Sequence, residues 1–195
     1  MIKVGITGGI GSGKSVACRI FSILGVPVYN ADAEAKTLTN TDPEIREQLI
    51  SLAGEAVFTD QSLNRRYLSD LIFNNNELLA RVNRIIHPRV EAHFIEWALL
   101  HSGSPYLILE SAILFESNLY IHFDKIVTVT APEDIRIRRA LTRNNMTVEK
   151  IRSIMDSQLP EKEITEKSDY IVINDEKELI IPQILRLHQL FLTNR

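Results

Sequence analysis

The chain has 195 residues, of which 45% are apolar and 24% are charged, and its formal net charge is −3. This length predicts one compact globular unit with a substantial core and room for inserted subdomains. The negative net charge argues against a nucleic-acid-binding surface as the main function, so we expect no nucleic-acid partner.

No apolar run approaches the roughly 18 residues that cross a bilayer, and the first strand begins too early to leave room for a signal peptide. The single cysteine, Cys18, excludes an internal disulfide framework and fits a reducing compartment. We therefore expect a cytoplasmic protein without a membrane partner. The sequence leaves the oligomeric state open.

The first predicted strand, residues 2–7, runs directly into a phosphate-loop pattern. Residues 8–15, GGIGSGKS, match G-x-x-x-x-G-K-[ST] at every position, and a helical period follows over residues 16–24. Glycines let the backbone curl so that its N–H groups point into one concavity, and the helix N-terminus adds its positive dipole end. Lys14 would reach the β- and γ-phosphates of a nucleotide, and the Ser15 hydroxyl would bind Mg²⁺. A glycine-rich turn without a ligand is the disfavoured alternative, so we predict a nucleoside triphosphate site.

A second predicted strand, residues 26–29, leads into Asp32. Ligands bind at the carboxyl ends of the strands in open parallel sheets, which is where Asp32 would lie. Asp32 is therefore either the N-cap of the next helix, residues 33–38, or a general base or metal-positioning carboxylate. Its position alone leaves both roles open.

Residues 42–102 are predicted to be mainly helical. One helix opens at Pro43 and another surrounds Leu68. Residues 77–86 and 90–100 form two more helices divided at His87-Pro88, because proline disfavours helical geometry at the residue before it. By fold-level analogy with small-molecule kinases, this helical insertion would bind the phosphoryl acceptor.

A third predicted strand, residues 106–110, is a continuous apolar run that ends in Glu110. Such a run is typical of a strand that is buried on both faces of a parallel sheet. Glu110 stands where P-loop enzymes carry the carboxylate that holds Mg²⁺ through water, and a solvated acid at the strand end is the alternative. A fourth strand is predicted at residues 125–130.

The helix predicted from residue 133 carries a stripe of arginines. Arg136, Arg139 and Arg143 stand at i, i+3 and i+7 and therefore share one narrow face. A basic stripe is usually a solvated face. Here it follows a strand of a nucleotide-binding sheet, which favours a lid that closes on phosphates with its guanidinium groups.

The remaining pattern predicts a helix over residues 148–159, a charged link over 161–167, a fifth strand over 169–173 and a closing helix to residue 192. Pro182 must lie in the first turn of the closing helix or kink it. The alternation of strands and helices indicates an α/β fold around a five-stranded parallel sheet. The closing helix has a predicted apolar face, and we expect His188 to pack against it and to bind no ligand. The residues of this face are Ile181, Ile184, Leu185, His188 and Phe191.

Taken together, these residues resemble the dephospho-coenzyme A kinase family over nearly the whole chain. The residues that carry the resemblance are 5–15, 24–32, His87-Pro88, 114–116, 124–125, Arg139 with Arg143, Gln158, and Asn174. The sequence departs from the family pattern at four positions. Val16 stands where threonine is common, and Asn30 replaces the first aspartate of Asp-Ala-Asp. Ala112 replaces a proline, and Asp175 stands near a position that is often glycine. Asn30 leaves one carboxylate, Asp32, where the family pattern has two.

The resemblance implies transfer of the γ-phosphoryl group of ATP to the ribose 3′-hydroxyl of dephospho-CoA, the last step of coenzyme A biosynthesis, with Mg²⁺ as cofactor. It implies a P-loop kinase fold with a helical acceptor-binding insertion and a helical lid. Residues 1–31, 104–134 and 167–195 would form the nucleotide-binding core, residues 32–103 would bind the acceptor, and residues 135–166 would form the lid.

The resemblance also implies roles for individual side chains. Asp32 would accept the proton of the acceptor hydroxyl, and Arg139 would face the transferring phosphoryl group, so that with Lys14 they form the catalytic set. The expected Mg²⁺ ligands, direct or through water, are Ser15, Asp32 and Glu110. The expected ATP-binding residues are Gly9, Gly11, Ser12, Gly13, Lys14, Ser15, Val16, Arg143 and Asn174. The expected dephospho-CoA-binding residues are Asp32, His87, Leu114 and Glu116.

Other functions would leave other sequence patterns. A different small-molecule or nucleoside kinase would share the phosphate loop and differ in the insertion. A regulatory GTPase usually carries Asn-Lys-x-Asp late in the chain, and a transporter-type ATPase subunit carries a Leu-Ser-Gly-Gly-type signature; neither occurs in this sequence. A catalytically inactive binding module is disfavoured because Lys14, Ser15 and Asp32 are intact.

Overall fold

The structure, a computed structural model, describes residues 1–60, 62–73, 75–144 and 146–193, and of residues 143 and 144 the backbone alone. The strands are β1 (Ile2–Thr7), β2 (Val28–Asn30), β3 (Phe58–Thr59), β4 (Ser62–Leu63), β5 (Tyr106–Glu110), β6 (Lys125–Thr130) and β7 (Tyr170–Ile173). The α-helices are α1 (Lys14–Ile23), α2 (Ala31–Thr41), α3 (Pro43–Ala53), α4 (Arg65–Ile72), α5 (Asn76–Leu100), α6 (Glu133–Asn144), α7 (Val148–Ser157), α8 (Glu161–Glu166) and α9 (Ile180–Thr193). The chain divides into two compact units, residues 1–30 with 98–195, and residues 31–97.

The first unit is built on a parallel sheet. Among the described residues it has five strands in the order β2-β5-β1-β6-β7, and each neighbouring pair is parallel. All five residues of β5 are buried, as expected for a strand covered on both faces. The predicted five-stranded parallel sheet is therefore confirmed, and the carboxyl ends of β1, β2 and β5 lie along one edge.

Tyr106 lies at the centre of the aromatic packing in the first unit. Its ring centroid lies 6.3 Å from that of Phe21 and 5.4 Å from that of Phe191. Its hydroxyl lies 2.6 Å from Nδ1 of His188, which is half-buried and packs against the core as predicted. Burying one such aromatic side chain is worth about 2 kcal/mol, and burial also raises the pKa of the Tyr106 hydroxyl.

The buried face of α9 differs from the predicted one. Ile184, Leu187 and Phe191 are buried, whereas Ile181 and Leu185 are 56% and 41% exposed. The three buried positions follow the i, i+3, i+7 period and turn one narrow stripe toward the sheet. The prediction was wrong for Ile181 and Leu185 because it drew the apolar stripe too wide.

Cys18 lies inside the core of the first unit, on α1. Its side chain is 4% exposed and forms no disulfide. Burial, and after it the neighbouring Glu110 carboxylate, raise the pKa of the thiol well above its ordinary value. The thiol is therefore protonated and behaves as a small apolar side chain.

The second unit has its own apolar core. Its buried members are Ile45, Leu49, Val57, Phe58, Leu68 and Val82. Asn64 caps α4 by accepting a hydrogen bond from the N–H of Tyr67 at 3.1 Å. The short β3–β4 hairpin was not predicted, because two-residue strands carry no periodic signal.

Two helical predictions were wrong. Helix α5 continues through Pro88, where a break was predicted. Val82 before the proline and Val90 and Phe94 after it are buried, and their burial outweighs the roughly 3 kcal/mol that an internal proline costs. The predicted charged link is helix α8, which begins after Pro160 and is anchored by Ile164, 2% exposed.

In the part of the chain that the structure describes, no helix is long and apolar enough to cross a membrane.

Asp42 joins α3 to α5 within the second unit. Its Oδ1 accepts hydrogen bonds from the N–H groups of Glu44 and Ile45 at 2.9 and 3.2 Å, which caps α3. Its Oδ2 accepts from Nε and Nη2 of Arg89 at 2.8 and 2.7 Å. Burial alone would raise the pKa of Asp42, but the bonds from Arg89 and the two amides hold it below its ordinary value.

We predict that Asp42→Ala lowers the free energy of unfolding by about 2 kcal/mol, because the helix cap and the partner of Arg89 are lost together. Since the folded-state pKa is lowered, this stabilisation is present above the ordinary pKa of about 4 and is lost as the pH falls through the folded value. Denaturant unfolding at pH 7 and near pH 3 should therefore show a difference between wild type and variant that shrinks in acid. Glu44→Ala, which removes an exposed partner of Arg89, should have little effect; equal effects of the two variants would contradict the prediction.

Candidate active site

The phosphate loop has a backbone conformation that favours glycine at three positions. Gly8, Gly11 and Gly13 have φ of 142°, 77° and 102°. A Cβ at Gly13 would also lie 2.0 Å from Nδ2 of Asn174. Helix α1 begins at the next residue, Lys14, and has no side-chain cap, so its first N–H groups form an anion-binding end.

Lys14 is folded back over the loop. Its Nζ donates to the carbonyl oxygens of Gly8 and Gly9 at 2.7 and 3.2 Å, and the residue is 9% exposed. Two backbone N–H groups of the loop also donate within it, Ser12 to Gly9 at 3.2 Å and Val16 to Gly13 at 3.0 Å. Contact of these groups with ATP phosphates stays a prediction.

Ser15 and Glu110 meet at the edge of the sheet. The Ser15 hydroxyl donates to Oε1 of Glu110 at 2.7 Å, and Nδ2 of Asn30 donates to Oε2 at 2.9 Å. Glu110 is 6% exposed, so it is not the solvated acid considered above. One hydroxyl and one carboxylate side by side fit Mg²⁺, which takes few protein oxygens and completes its shell with water and phosphate. Accordingly, no cluster of three or more His, Cys, Asp or Glu suited to a metal occurs among the described residues.

Arg139 approaches the loop through Asn174. Nη2 of Arg139 lies 3.4 Å from Oδ1 of Asn174 and 3.3 Å from Glu176, while Nδ2 of Asn174 donates to the carbonyl oxygen of Ser12 at 2.8 Å. Within the described residues, Nη1 of Arg139 and Oγ of Ser12 are the buried side-chain polar atoms without a hydrogen-bond partner. The nucleotide-binding prediction for Arg143 concerns a side chain outside the described residues.

Arg136 is not part of a solvated stripe. It is 8% exposed, its Nε donates to the carbonyl oxygen of Ile10 at 3.2 Å, and its Nη1 pairs with Glu161 at 2.5 Å. Arg136 and Gly9 also line a cleft of about 640 Å³ between the loop and helices α6 to α8. Arg136 thus connects the phosphate loop to the segment predicted to be the lid.

Two further side chains near the loop make long-range bonds. Gln158 bonds to the backbone of both Ile10 and Ala112, and Glu116 accepts from the N–H of Leu159 at 2.8 Å. The family resemblance included Gln158, but the sequence suggested no role for it. Leu114 is fully buried beside Gly5, which does not favour its predicted contact with the substrate.

The predicted acceptor residues Asp32 and His87 lie in the second unit. Helix α2 begins at Ala31, so Asp32 stands in its first turn and is not its N-cap. Asp32 lines a cleft of about 360 Å³ together with Lys36 and Arg65. His87 is half-buried on α5, next to Ile86 of that cleft, and burial lowers its pKa.

The sheet order, the glycine loop before α1 and the paired Ser15 and Glu110 define a P-loop kinase. The sequence profile of dephospho-CoA kinase matches residues 2–179. A dephospho-CoA kinase of Bacteroides fragilis (strain YCH46) is 44% identical over 186 residues, which are 95% of this chain and 91% of the relative. The chain belongs to the dephospho-CoA kinase family and is an ATP-dependent kinase of coenzyme A biosynthesis.

Two solved structures have a similar fold. A crystal structure from Thermus thermophilus is 30% identical with a TM-score of 0.87, covering 99% of this chain and 98% of that chain. A dephospho-CoA kinase from Campylobacter jejuni is 22% identical with a TM-score of 0.71, covering 96% and 95%, and is alike in fold. The predicted family and fold class are confirmed; the roles of individual residues stay predictions.

Gly13→Ala should lower the affinity for nucleotide at least tenfold, because a Cβ there would meet Asn174 and the backbone would need a strained φ. The control is Gly103→Ala, since a Cβ at Gly103 would lie within 4 Å of no described residue other than its chain neighbours. Calorimetric titration with ADP measures both affinities. Unchanged binding by the Gly13 variant would show that the loop geometry does not set nucleotide affinity.

Proposed function

We propose that this chain transfers the γ-phosphoryl group of ATP to the ribose 3′-hydroxyl of dephospho-CoA, with the residue roles given below. The observation that carries the phosphoryl-transfer part of the proposal is the Ser15 hydroxyl 2.7 Å from the Glu110 carboxylate, and the choice of acceptor rests on the family to which the chain belongs. Phosphoryl transfer needs positioning and charge neutralisation more than covalent chemistry, and this loop supplies donors for both.

In the donor half, the loop amides of residues 11–16 and Lys14 bind the ATP phosphates. Lys14 exchanges its bonds with the Gly8 and Gly9 carbonyls for bonds to phosphate oxygens, which are stronger because both partners are charged. Arg139 directs Nη1, which has no hydrogen-bond partner among the described residues, at the transferring phosphoryl group. Asn174 holds Arg139 beside the loop.

Mg²⁺ would be held by Ser15 and Glu110, directly or through water, and the predicted contact of Asp32 with it stays a prediction. When bound, it neutralises phosphate charge. Asn30 keeps one oxygen of Glu110 occupied and thereby orients the carboxylate toward Ser15.

In the acceptor half, Asp32 receives the proton of the 3′-hydroxyl. Its exposed side chain lines a cleft with two cationic neighbours, Lys36 and Arg65, which suits an acceptor that carries phosphate groups. His87 shapes the same region. We propose that residues 32–103, most of which belong to the second compact unit, residues 31–97, bind the acceptor and that residues 135–166 form a lid. We place the enzyme in the cytoplasm, which the single free cysteine supports.

The test is incubation with Mg·ATP and a panel of acceptors that includes dephospho-CoA, nucleosides and shikimate. We expect mass spectrometry to find one added phosphate on dephospho-CoA, at the ribose 3′ position, and none on the other acceptors. Phosphorylation of another acceptor instead would contradict the proposed substrate but would not affect the fold assignment.

Asp32→Asn is the matched variant for that assay, because it keeps the size of the side chain and removes the base. It should bind ATP normally and turn over at least 100-fold more slowly, the low end of the usual effect of general-base loss. Near-normal turnover would remove Asp32 from the mechanism.

Arg139→Ala should lower kcat by about 100-fold or more with a KM for ATP within about fivefold, because a transition-state contact is lost. Arg138→Ala is the control, since Arg138 also pairs with Glu176 but is 60% exposed. Steady-state kinetics measures kcat and the KM for ATP of both variants. Equal kcat for both would place Arg139 outside the chemistry.

A further inference from the structure

Gln158 connects two segments that lie far apart in the sequence. It follows the last residue of α7, and its Oε1 accepts a hydrogen bond from the N–H of Ile10 at 3.0 Å. Its Nε2 donates to the carbonyl oxygen of Ala112, also at 3.0 Å. The two partners fix the orientation of the amide, because a turned amide would set N–H against N–H and oxygen against oxygen.

Ile10 lies in the middle of the phosphate loop, and both sides of its backbone are bound from outside the loop. The side chain of Gln158 accepts a hydrogen bond from the N–H of Ile10, and Nε of Arg136 donates to its carbonyl oxygen at 3.2 Å. Glu161 in turn pairs with Arg136. The orientation of the loop at Ile10 is therefore set by side chains more than 120 residues away in sequence.

The other partner of Gln158 ties the loop to the carboxylate end of β5. Ala112 stands two residues after Glu110, the expected Mg²⁺ ligand. Gln158 itself is anchored, because the N–H of the next residue, Leu159, donates to Glu116 at 2.8 Å. The side-chain amide of Gln158 thus links the phosphate loop to the end of β5 that carries Glu110.

We propose that Gln158 is a positioning residue for ATP. It holds the Ile10 backbone, and with it the loop amides, in the orientation that receives phosphates before the nucleotide arrives. Without it the loop populates other orientations, and nucleotide binding must select the competent one, which lowers the apparent affinity. This inference rests on the proposed function, since it assigns the loop to ATP.

The test compares Gln158→Met, which removes both hydrogen bonds at nearly constant length, with Gln158→Glu, which keeps the acceptor for the N–H of Ile10. Two ordinary hydrogen bonds correspond to about a tenfold change, so ADP affinity by calorimetry and the KM for ATP should both weaken about tenfold in Gln158→Met. The KM for dephospho-CoA should stay within about twofold. Hydrogen exchange at the Ile10 amide should quicken most in Gln158→Met and less in Gln158→Glu, which keeps the acceptor for this N–H but sets a carboxylate oxygen against the carbonyl oxygen of Ala112.

Gln189→Met on α9, an exposed position, is the control and should match wild type in every assay. A Gln158→Met variant that only melts at lower temperature, with unchanged ADP affinity, would overturn the proposal. So would equal effects on both KM values, or equally fast Ile10 exchange in the two variants. Because ADP binding needs no acceptor, failure here is distinguishable from failure of the proposed reaction.

Discussion

The conformation of the phosphate loop is the constraint on which the rest of the site depends, and the loop cannot hold it alone. Its glycines permit the curled backbone but contribute no side chain that could fix it. Asn174, Arg136 and Gln158 bind its carbonyl and N–H groups from β7's end, from α6 and from the end of α7. The parallel sheet brings these segments together, so the fold serves the site by immobilising backbone that would otherwise sample many states.

The sequence predicted the parts of this arrangement that follow from local pattern. The apolar run of residues 106–110, the P-loop and the helix predicted from residue 133 all have strong periodic or motif signals. What it could not predict are pairings between distant residues, such as Gln158 with Ile10 and Ala112, because nothing in one segment marks its partner. The break predicted at Pro88 failed for a related reason: local propensity was outweighed by burial along α5 that no window of sequence contains.

Asn30 shows how one substitution sets the charge of a site. A second carboxylate in its place would face Glu110 as a like charge, which is costly unless a cation lies between them. The amide instead donates to Oε2 of Glu110, while Ser15 donates to Oε1. Asn30 and Glu110 therefore bring one carboxylate to this sheet edge in place of two, and both oxygens of that carboxylate accept hydrogen bonds from the protein.

Cys18 gives the protein a natural reporter. It is the single cysteine of the chain, its thiol is buried and protonated, and it lies on the helix that begins at the phosphate loop, beside Glu110. A thiol reagent in solution can modify it only after the core has opened. The rate of labelling of the unmodified enzyme therefore measures the opening free energy of the nucleotide-binding unit, with no engineered probe and no background from a second thiol.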